Sequence, residues 1–155
     1  MLTRALAIAI LPIVAAQNCD VTLPPPPTRE EACVASSATW VVLGLAPEQV
    51  PELPDQLLKA RIRVGETAAL RASRLGQDDC DDLVTDVAWR SSVPAVADVT
   101  AGSLTEGRLE ARSPGEAALW ADVTLQGGSV RRAELHAVPA GRNTRLRVYA
   151  VVVAR

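Results

Sequence analysis

The sequence of 155 residues contains no phenylalanine, one histidine, one lysine and one methionine, and aromatic residues make up only 3% of it. The single histidine, His136, excludes a multi-histidine metal centre and is the one residue available to a histidine-dependent triad. Three tryptophans and one tyrosine are too few for a platform that stacks bases or sugar rings. The net charge of −2 lacks the basic excess of nucleic-acid-binding proteins. We therefore expect no nucleic-acid partner and no cofactor.

Residues 1–16 have the pattern of a signal peptide. The positive charge of Arg4 precedes ten largely apolar residues, and Ala16 with Val14 two positions earlier suits cleavage by signal peptidase. The apolar run is shorter than the roughly 20 residues that a membrane-spanning helix needs. The sequence thus predicts an exported chain, either secreted, periplasmic or at the cell surface, without an integral membrane span.

Three cysteines, Cys19, Cys33 and Cys80, remain after this cleavage. An oxidising compartment permits any of the three single bridges and leaves one thiol over. We favour Cys33–Cys80, because it ties the N-terminal segment to the later domain and closes a loop of about 47 residues, worth roughly 3–4 kcal/mol. The other pairings and a fully reduced chain stay open. A lipid anchor at Cys19 is disfavoured, since Asn18 is a poor match to the residue that precedes a lipidated cysteine.

The rest of the chain is organised as a tether and one domain. Residues 17–37 are proline-rich and predict a tether, stiffened by polyproline II at Pro24–Pro27. From residue 38, short alternating segments are separated by turn residues about every ten positions, as in an all-β sandwich. We expect a single domain over residues 38–138, with an insertion at 48–60. Residues 139–155 predict an extra C-terminal strand that adds to a sheet edge or to a neighbour.

One predicted hairpin concentrates polar candidates on its outward side. A three-residue loop over residues 127–129 keeps all apolar residues of its two strands on one face, so we prefer it to a two-residue loop. An outward tryptophan in this hairpin requires a partner or a cover. The register sets Trp120 opposite His136 and Asp122 opposite Glu134, and these four residues with Arg132 form the candidate interaction surface.

Three segments occur in a recognisable order: VGETAAL at 64–70, VAWRSSVPAVADV at 87–99 and LEARSPGEAALWADV at 109–123. The second is similar at nearly every position to a Trp-x-Ser-Ser-x-Pro-x-Val-Ala-x-Val signature. On these motifs, residues 62–138 resemble the bacterial immunoglobulin-like domain of group 2, the module of intimin- and invasin-type adhesins. The resemblance implies an immunoglobulin-like β-sandwich without catalysis. The family often occurs in tandem arrays, whereas one copy is present here.

Four residues of these motifs have physical roles in such a sandwich. Trp89 is expected to anchor the core between the sheets. Pro94 limits the chain at a strand entrance, where it lacks a hydrogen-bond donor. Gly65 and Gly115 supply turn conformations that other residues adopt at a cost. All four are predicted to determine the fold rather than to react.

Other motifs offer little chemistry. The acidic run at 78–82 lacks the spaced oxygen ligands of a calcium loop, and His136 has no second histidine or cysteine placed beside it. The absence of nucleophile-elbow, phosphate-loop and His-Glu-x-x-His motifs makes an enzyme the least favoured class. Two functions remain: a secreted or envelope module for adhesion or structural contact with protein or glycan, and a lipid-anchored or soluble accessory subunit of a larger envelope assembly.

Overall fold

The computed structural model describes residues 23–35, 38–50, 58–76 and 78–155. The predicted signal peptide and Cys19 lie outside these residues. No helix in the described ranges is long and apolar enough to cross a membrane. The elements are α1 (Arg29–Val34), β1 (Trp40–Leu43), β2 (Lys59–Arg63), β3 (Thr67–Arg74), β4 (Val84–Ser91), β5 (Ala97–Ala101), β6 (Glu106–Ala111), β7 (Gly115–Ala117), β8 (Leu119–Leu125), β9 (Val130–Ala137), β10 (Leu146–Arg147) and β11 (Ala150–Ala154), with 3₁₀ turns at Pro47–Gln49 and Asp78–Leu83.

Seven strands form one curled sheet in the order β4-β8-β9-β1-β3-β6-β5, and β10 adds to β9. β1 lies at the centre, parallel to β9 and antiparallel to β3. The two ends of the sheet, β4 and β5, contact each other, and the Ser91 hydroxyl donates to the carbonyl oxygen of Ala97 at 2.6 Å. The predicted all-β sandwich is therefore confirmed in a nearly closed form. In it, β1 joins one half, β4-β8-β9, to the other half, β3-β6-β5.

A second sheet has three strands in the order β2-β11-β7, and its inner residues enter the same core. Only Ala118 separates β7 from β8, so the chain changes sheet there; its N–H donates to the Ser92 hydroxyl at 2.8 Å. The C-terminal tail also serves both sheets, because β10 pairs with β9 while β11 lies between β2 and β7. The residues predicted to form one extra strand thus form two, and both belong to this fold.

Small and branched side chains build the core around one large ring. Trp40 in β1 is only 2% exposed. Trp89 is half-buried and packs against the margin of the core. A Cβ at Gly107 would lie 2.6 Å from Trp89 Cε2 and 2.7 Å from Val99 Cγ1. The Trp89 ring therefore requires a residue without a side chain beneath it, and Trp40, rather than Trp89, occupies the centre.

The other predicted fold residues lie at turns. Gly65 has a φ of +86° between β2 and β3, and Gly115 has a φ of +149° where β7 begins. A Cβ at Gly115 would also meet Val96 Cγ2 at 2.7 Å. Pro94 is exposed in the turn before β5, which the Val96 N–H closes by donating to the Val93 carbonyl oxygen at 2.9 Å.

The favoured disulfide is present: Cys33 in α1 is bonded to Cys80 in the Asp78–Leu83 turn, and both residues are fully buried. α1 has six residues, whereas isolated helices shorter than about 12–15 residues are marginal in water. Thr28 caps the helix, accepting from the Glu31 N–H at 3.2 Å. This cap and the disulfide together explain why so short a helix forms at this position.

Candidate interaction surface

The five predicted interaction residues lie on the outward face of β8 and β9. Buried and part-exposed residues alternate along both strands, so the apolar side chains face the core. β4 and β10 flank this face, with Arg90 paired to Trp120 and Arg147 paired to His136. Together with the neighbouring Tyr149, these residues form the Trp120 surface: Arg90, Trp120, Asp122, Arg132, Glu134, His136, Arg147 and Tyr149.

The pairing between β8 and β9 differs from the predicted register by two residues. Trp120 lies opposite Glu134, and Asp122 lies opposite Arg132. The predictions that Trp120 faces His136 and that Asp122 faces Glu134 are therefore wrong. Because the shift is an even number of residues, every side chain keeps its predicted face.

The turn between the two strands explains this shift. Gly127 and Gly128 have φ values of +84° and +81°. The Gly128 N–H donates to the Leu125 carbonyl oxygen at 2.9 Å, and the Leu125 N–H donates to Ser129 at 2.9 Å. The loop consequently consists of residues 126–128 instead of 127–129. This choice keeps Leu125 fully buried at the end of β8 and leaves Gln126 in solvent.

Trp120 is half-buried, and a side chain from the neighbouring strand covers it. The guanidinium carbon of Arg132 lies 5.2 Å from the centroid of the ring, within the range of a cation–π interaction. The indole Nε1 is buried and has no hydrogen-bond partner in the described part of the chain. The outward tryptophan thus has the cover that the sequence required, supplied by its own sheet.

Asp122 is a counter-charge shared by two arginines. Its carboxylate oxygens lie 3.5 Å from Arg90 Nε and 3.6 Å from Arg132 Nε. Both distances are long for a hydrogen bond. The side chain of Asp122 is 27% exposed, against 56% and 63% for the two arginines. The guanidinium groups therefore lie further out than the carboxylate that balances them.

Glu134 connects the surface to the C-terminal segment. Its carboxylate lies 2.6 Å from Arg147 Nη2, and the Arg147 guanidinium carbon lies 4.8 Å from the centroid of the Tyr149 ring. The sequence-based site omitted Arg147 and Tyr149. The alternation of apolar residues in the tail is compatible with outward positions for Arg147 and Tyr149. It could not indicate which sheet the tail would join. A cavity of about 100 Å³ is lined by both aromatic residues and by six others: Ala118, Leu119, Trp120, Arg132, Glu134, Arg147, Val148 and Tyr149.

His136 lies on the same face but borders a different cavity. Its Nδ1 is 2.9 Å from the carbonyl oxygen of Glu134. Together with Pro47 and Arg145, among others, it lines a space of about 270 Å³ near the end of β1. The predicted surface therefore divides into an aromatic part around Trp120 and a separate part around His136.

A broader groove of about 670 Å³ lies on β3 and β6, beside Leu43 at the end of β1 and the following Gly44. Its lining includes Ala69, Arg71 and Arg108. A Cβ at Gly44 would lie 2.0 Å from the carbonyl oxygen of Ala69, so the chain passes close to β3 at this point. None of the predicted site residues lines this groove.

The acidic run supplies ion-pair partners. Asp81 pairs with Arg71, and Asp82 lies 2.5 Å from Arg29 Nη2. Within the residues that the structure describes, no group of three or more histidine, cysteine, aspartate or glutamate residues is arranged to hold a metal ion. The observed contacts of these two carboxylates are therefore structural.

No family model matches the chain, and no curated protein matches it. The Trp120 surface is consequently interpreted from its own geometry. Three arginines, a tryptophan and a tyrosine are side chains that are enriched at protein interfaces. Exposed ion pairs contribute about 0–1 kcal/mol each, so the guanidinium groups can exchange their present carboxylates for those of a partner at little cost.

Proposed function

We propose that this chain is an exported, non-catalytic immunoglobulin-like module that makes protein–protein contacts in adhesion or cell-envelope structure. The order of its strands carries the proposal. β3-β6-β5 matches the B-E-D order and β4-β8-β9 matches the C-F-G order of immunoglobulin-type sandwiches. The motifs at 64–70 and 87–99 that resemble the bacterial group 2 domain lead into β3 and span β4 and β5.

The position of Trp89 supports the same proposal. An immunoglobulin sandwich carries a buried tryptophan on strand C, and Trp89 lies on β4 at the C position, where it is half-buried at the margin of the core. The molecule also departs from the pattern. The disulfide joins α1 to a turn instead of joining two facing sheets, and β2-β11-β7 forms a sheet outside the immunoglobulin order.

Export is supported by the signal-peptide pattern and by the Cys33–Cys80 disulfide, because disulfides persist in oxidising compartments. The N-terminal mass of the mature protein tests this part. A chain that begins at Gln17 supports a secreted module, and a diacylated Cys19 supports a lipid-anchored subunit of an envelope assembly instead. A chain that retains residues 1–16 would contradict export.

The proposed contact region is the Trp120 surface. The exported chain is immobilised and incubated with cell-surface and envelope proteins of the producing organism, and the captured proteins are identified by mass spectrometry. We expect an Arg132→Ala/Arg147→Ala variant to lose a partner that the native chain retains. An Arg61→Ala/Arg63→Ala variant removes the same charge from exposed positions on β2 and should keep it. Equal capture of the partner by both variants would exclude the Trp120 surface as the contact region. Binding to a glycan array without capture of any protein would identify the ligand as a carbohydrate instead of a protein.

A further inference from the structure

We propose that the Cys33–Cys80 disulfide carries tension from the N-terminal segment past the first three strands. Residues 23–28 are exposed and lead directly into α1, which contains Cys33. Cys80 lies in the turn that precedes β4, and the bond joins residues at a sequence separation of 47, with β1, β2 and β3 between them. A force applied to the chain before Cys33 therefore has a covalent route to β4 that omits these strands.

The bypassed segment contains the strand that joins the two halves of the large sheet. β1 has four residues and lies between β9 and β3, and Trp40, Val41 and Val42 are at most 2% exposed. Without the disulfide, tension would pass along the backbone from α1 into the first residue of β1. Extraction of this strand would remove every β1 hydrogen bond to β9 and β3 and would open the core at Trp40.

The route through the disulfide ends on a longer ladder. β4 pairs with β8 from Val84 to Ser91. Two non-covalent contacts also hold α1 in place: a two-point contact between Arg29 and Asp82, at 2.5 and 3.1 Å, and a hydrogen bond from Arg131 Nη2 to the Val34 carbonyl oxygen at 3.0 Å. The ion pair is about half exposed, so these contacts orient the helix while the covalent bond transmits the force.

The biological relevance of this mechanical role rests on the proposed function as a tethered module. The role itself is measured on the isolated protein and needs no partner. The test is single-molecule stretching of the exported chain between handles at its two termini, in a Cys19→Ser background that removes the third thiol. We expect the oxidised chain to unfold at a higher force than a Cys33→Ser/Cys80→Ser variant. Its fully extended length should be shorter by about 160 Å, at roughly 3.4 Å for each step of the sequence separation of 47 between Cys33 and Cys80.

A second pulling geometry separates force transmission from simple stabilisation. Non-cysteine handles at Gln126, in the β8–β9 loop, and at Arg155 leave both cysteines outside the backbone between them. Loss of the disulfide should then leave the extended length unchanged and lower the unfolding force much less than in the terminal geometry. An equal loss of force in both geometries would overturn the proposal. If the double variant does not fold, the oxidised chain alone still tests the proposal. An extended length of the oxidised chain that includes residues 34–79 would also overturn the proposal. Failure to capture a partner protein affects neither result.

Discussion

Strands β8 and β9 direct one face to the core and the other to the exterior, and the side chains of the two faces are held in different ways. Inside, Ala121 lies opposite Ala133 and both are fully buried. Outside, Asp122 lies between two arginines at distances above the usual hydrogen-bond range. Interior packing permits few alternatives, whereas exposed ion pairs contribute little to stability. The outward face can therefore change for binding without loss of the fold.

The strongest test of this difference compares two adjacent residues of β9. Leu135 is fully buried, while the neighbouring Glu134 faces outward and pairs with Arg147. Leu135→Ala should lower the free energy of unfolding by about 2–5 kcal/mol, because it removes buried methyl groups and leaves a cavity. Glu134→Ala should cost less than about 1 kcal/mol, as expected for an exposed pair. Urea unfolding of both variants measures the two values, and similar losses would abolish the distinction between the faces.

A second test concerns a place where the interior accepts no side chain at all. Gly107→Ala would put a methyl group 2.6 Å from the Trp89 ring, so we expect a loss of about 1–3 kcal/mol from overpacking. Gly102→Ala is the control, because its nearest contact would be 3.4 Å and exposed positions usually change stability by less than about 0.5 kcal/mol. Thermal unfolding compares them. A Gly107→Ala protein as stable as the native one would mean that Trp89 moves aside freely.

A third test examines the exterior at its aromatic centre. Arg132→Ala removes the guanidinium that covers Trp120, and the loss of one exposed cation–π contact should cost about 0.5–1 kcal/mol. Tryptophan emission should shift to longer wavelength as the ring becomes more hydrated. Arg61→Ala removes an exposed charge on β2, which belongs to the three-stranded sheet, whereas all three tryptophans lie on the other sheet; this variant should leave the emission unchanged. An unchanged spectrum in Arg132→Ala would show that the ring is covered by other groups.

The faces of these strands could be predicted from the sequence, but their pairing could not. The alternation of Leu119, Ala121 and Val123 requires one buried side whatever the register. Gly127-Gly128 is compatible with loops that start at residue 126 or 127, and both loops keep the apolar residues inside. The structure adopts the loop that buries Leu125, a preference that depends on the core around it. The hydrophobic pattern therefore could not identify the residue that lies opposite Trp120.

The missing members of the candidate site come from distant parts of the chain. Arg90 reaches it on β4, and Arg147 and Tyr149 reach it with the tail. Alternation in the tail predicts a strand, but its division into β10 and β11 depends on space left beside β9 and β2 by other strands. The Cys33–Cys80 bond was favoured among three pairings because it ties the N-terminal segment to the later domain, but the sequence left all three open, and the structure contains this one. Hydrophobic alternation therefore predicted the faces of the strands, whereas tertiary packing determined which residues meet at the candidate surface.

The smallest expected effect concerns an outward contact outside β8 and β9, in the cap of α1. The Glu31 carboxylate accepts from the Thr28 N–H at 2.8 Å and from its hydroxyl at 3.0 Å. The backbone hydrogen bond, and then the hydroxyl, hold the pKa of Glu31 below its ordinary value of 4.5. Because the folded-state pKa is lowered, the stabilisation is complete above the unfolded value and is lost as the pH falls through the folded one.

Two substitutions at Thr28 divide this effect between its causes, followed by the NMR titration of the Glu31 side chain. Thr28→Ala removes the hydroxyl but keeps the N–H, so the pKa should rise only part of the way towards 4.5. Thr28→Pro suits the native φ of −62° and removes both donors, so the pKa should return to its ordinary range. A full return in Thr28→Ala would contradict the order of the two causes. The larger lowering of the Glu31 pKa then comes from the backbone N–H of Thr28, which most substitutions at position 28 would keep. Only the smaller lowering, from the Thr28 hydroxyl, depends on the side chain at that position.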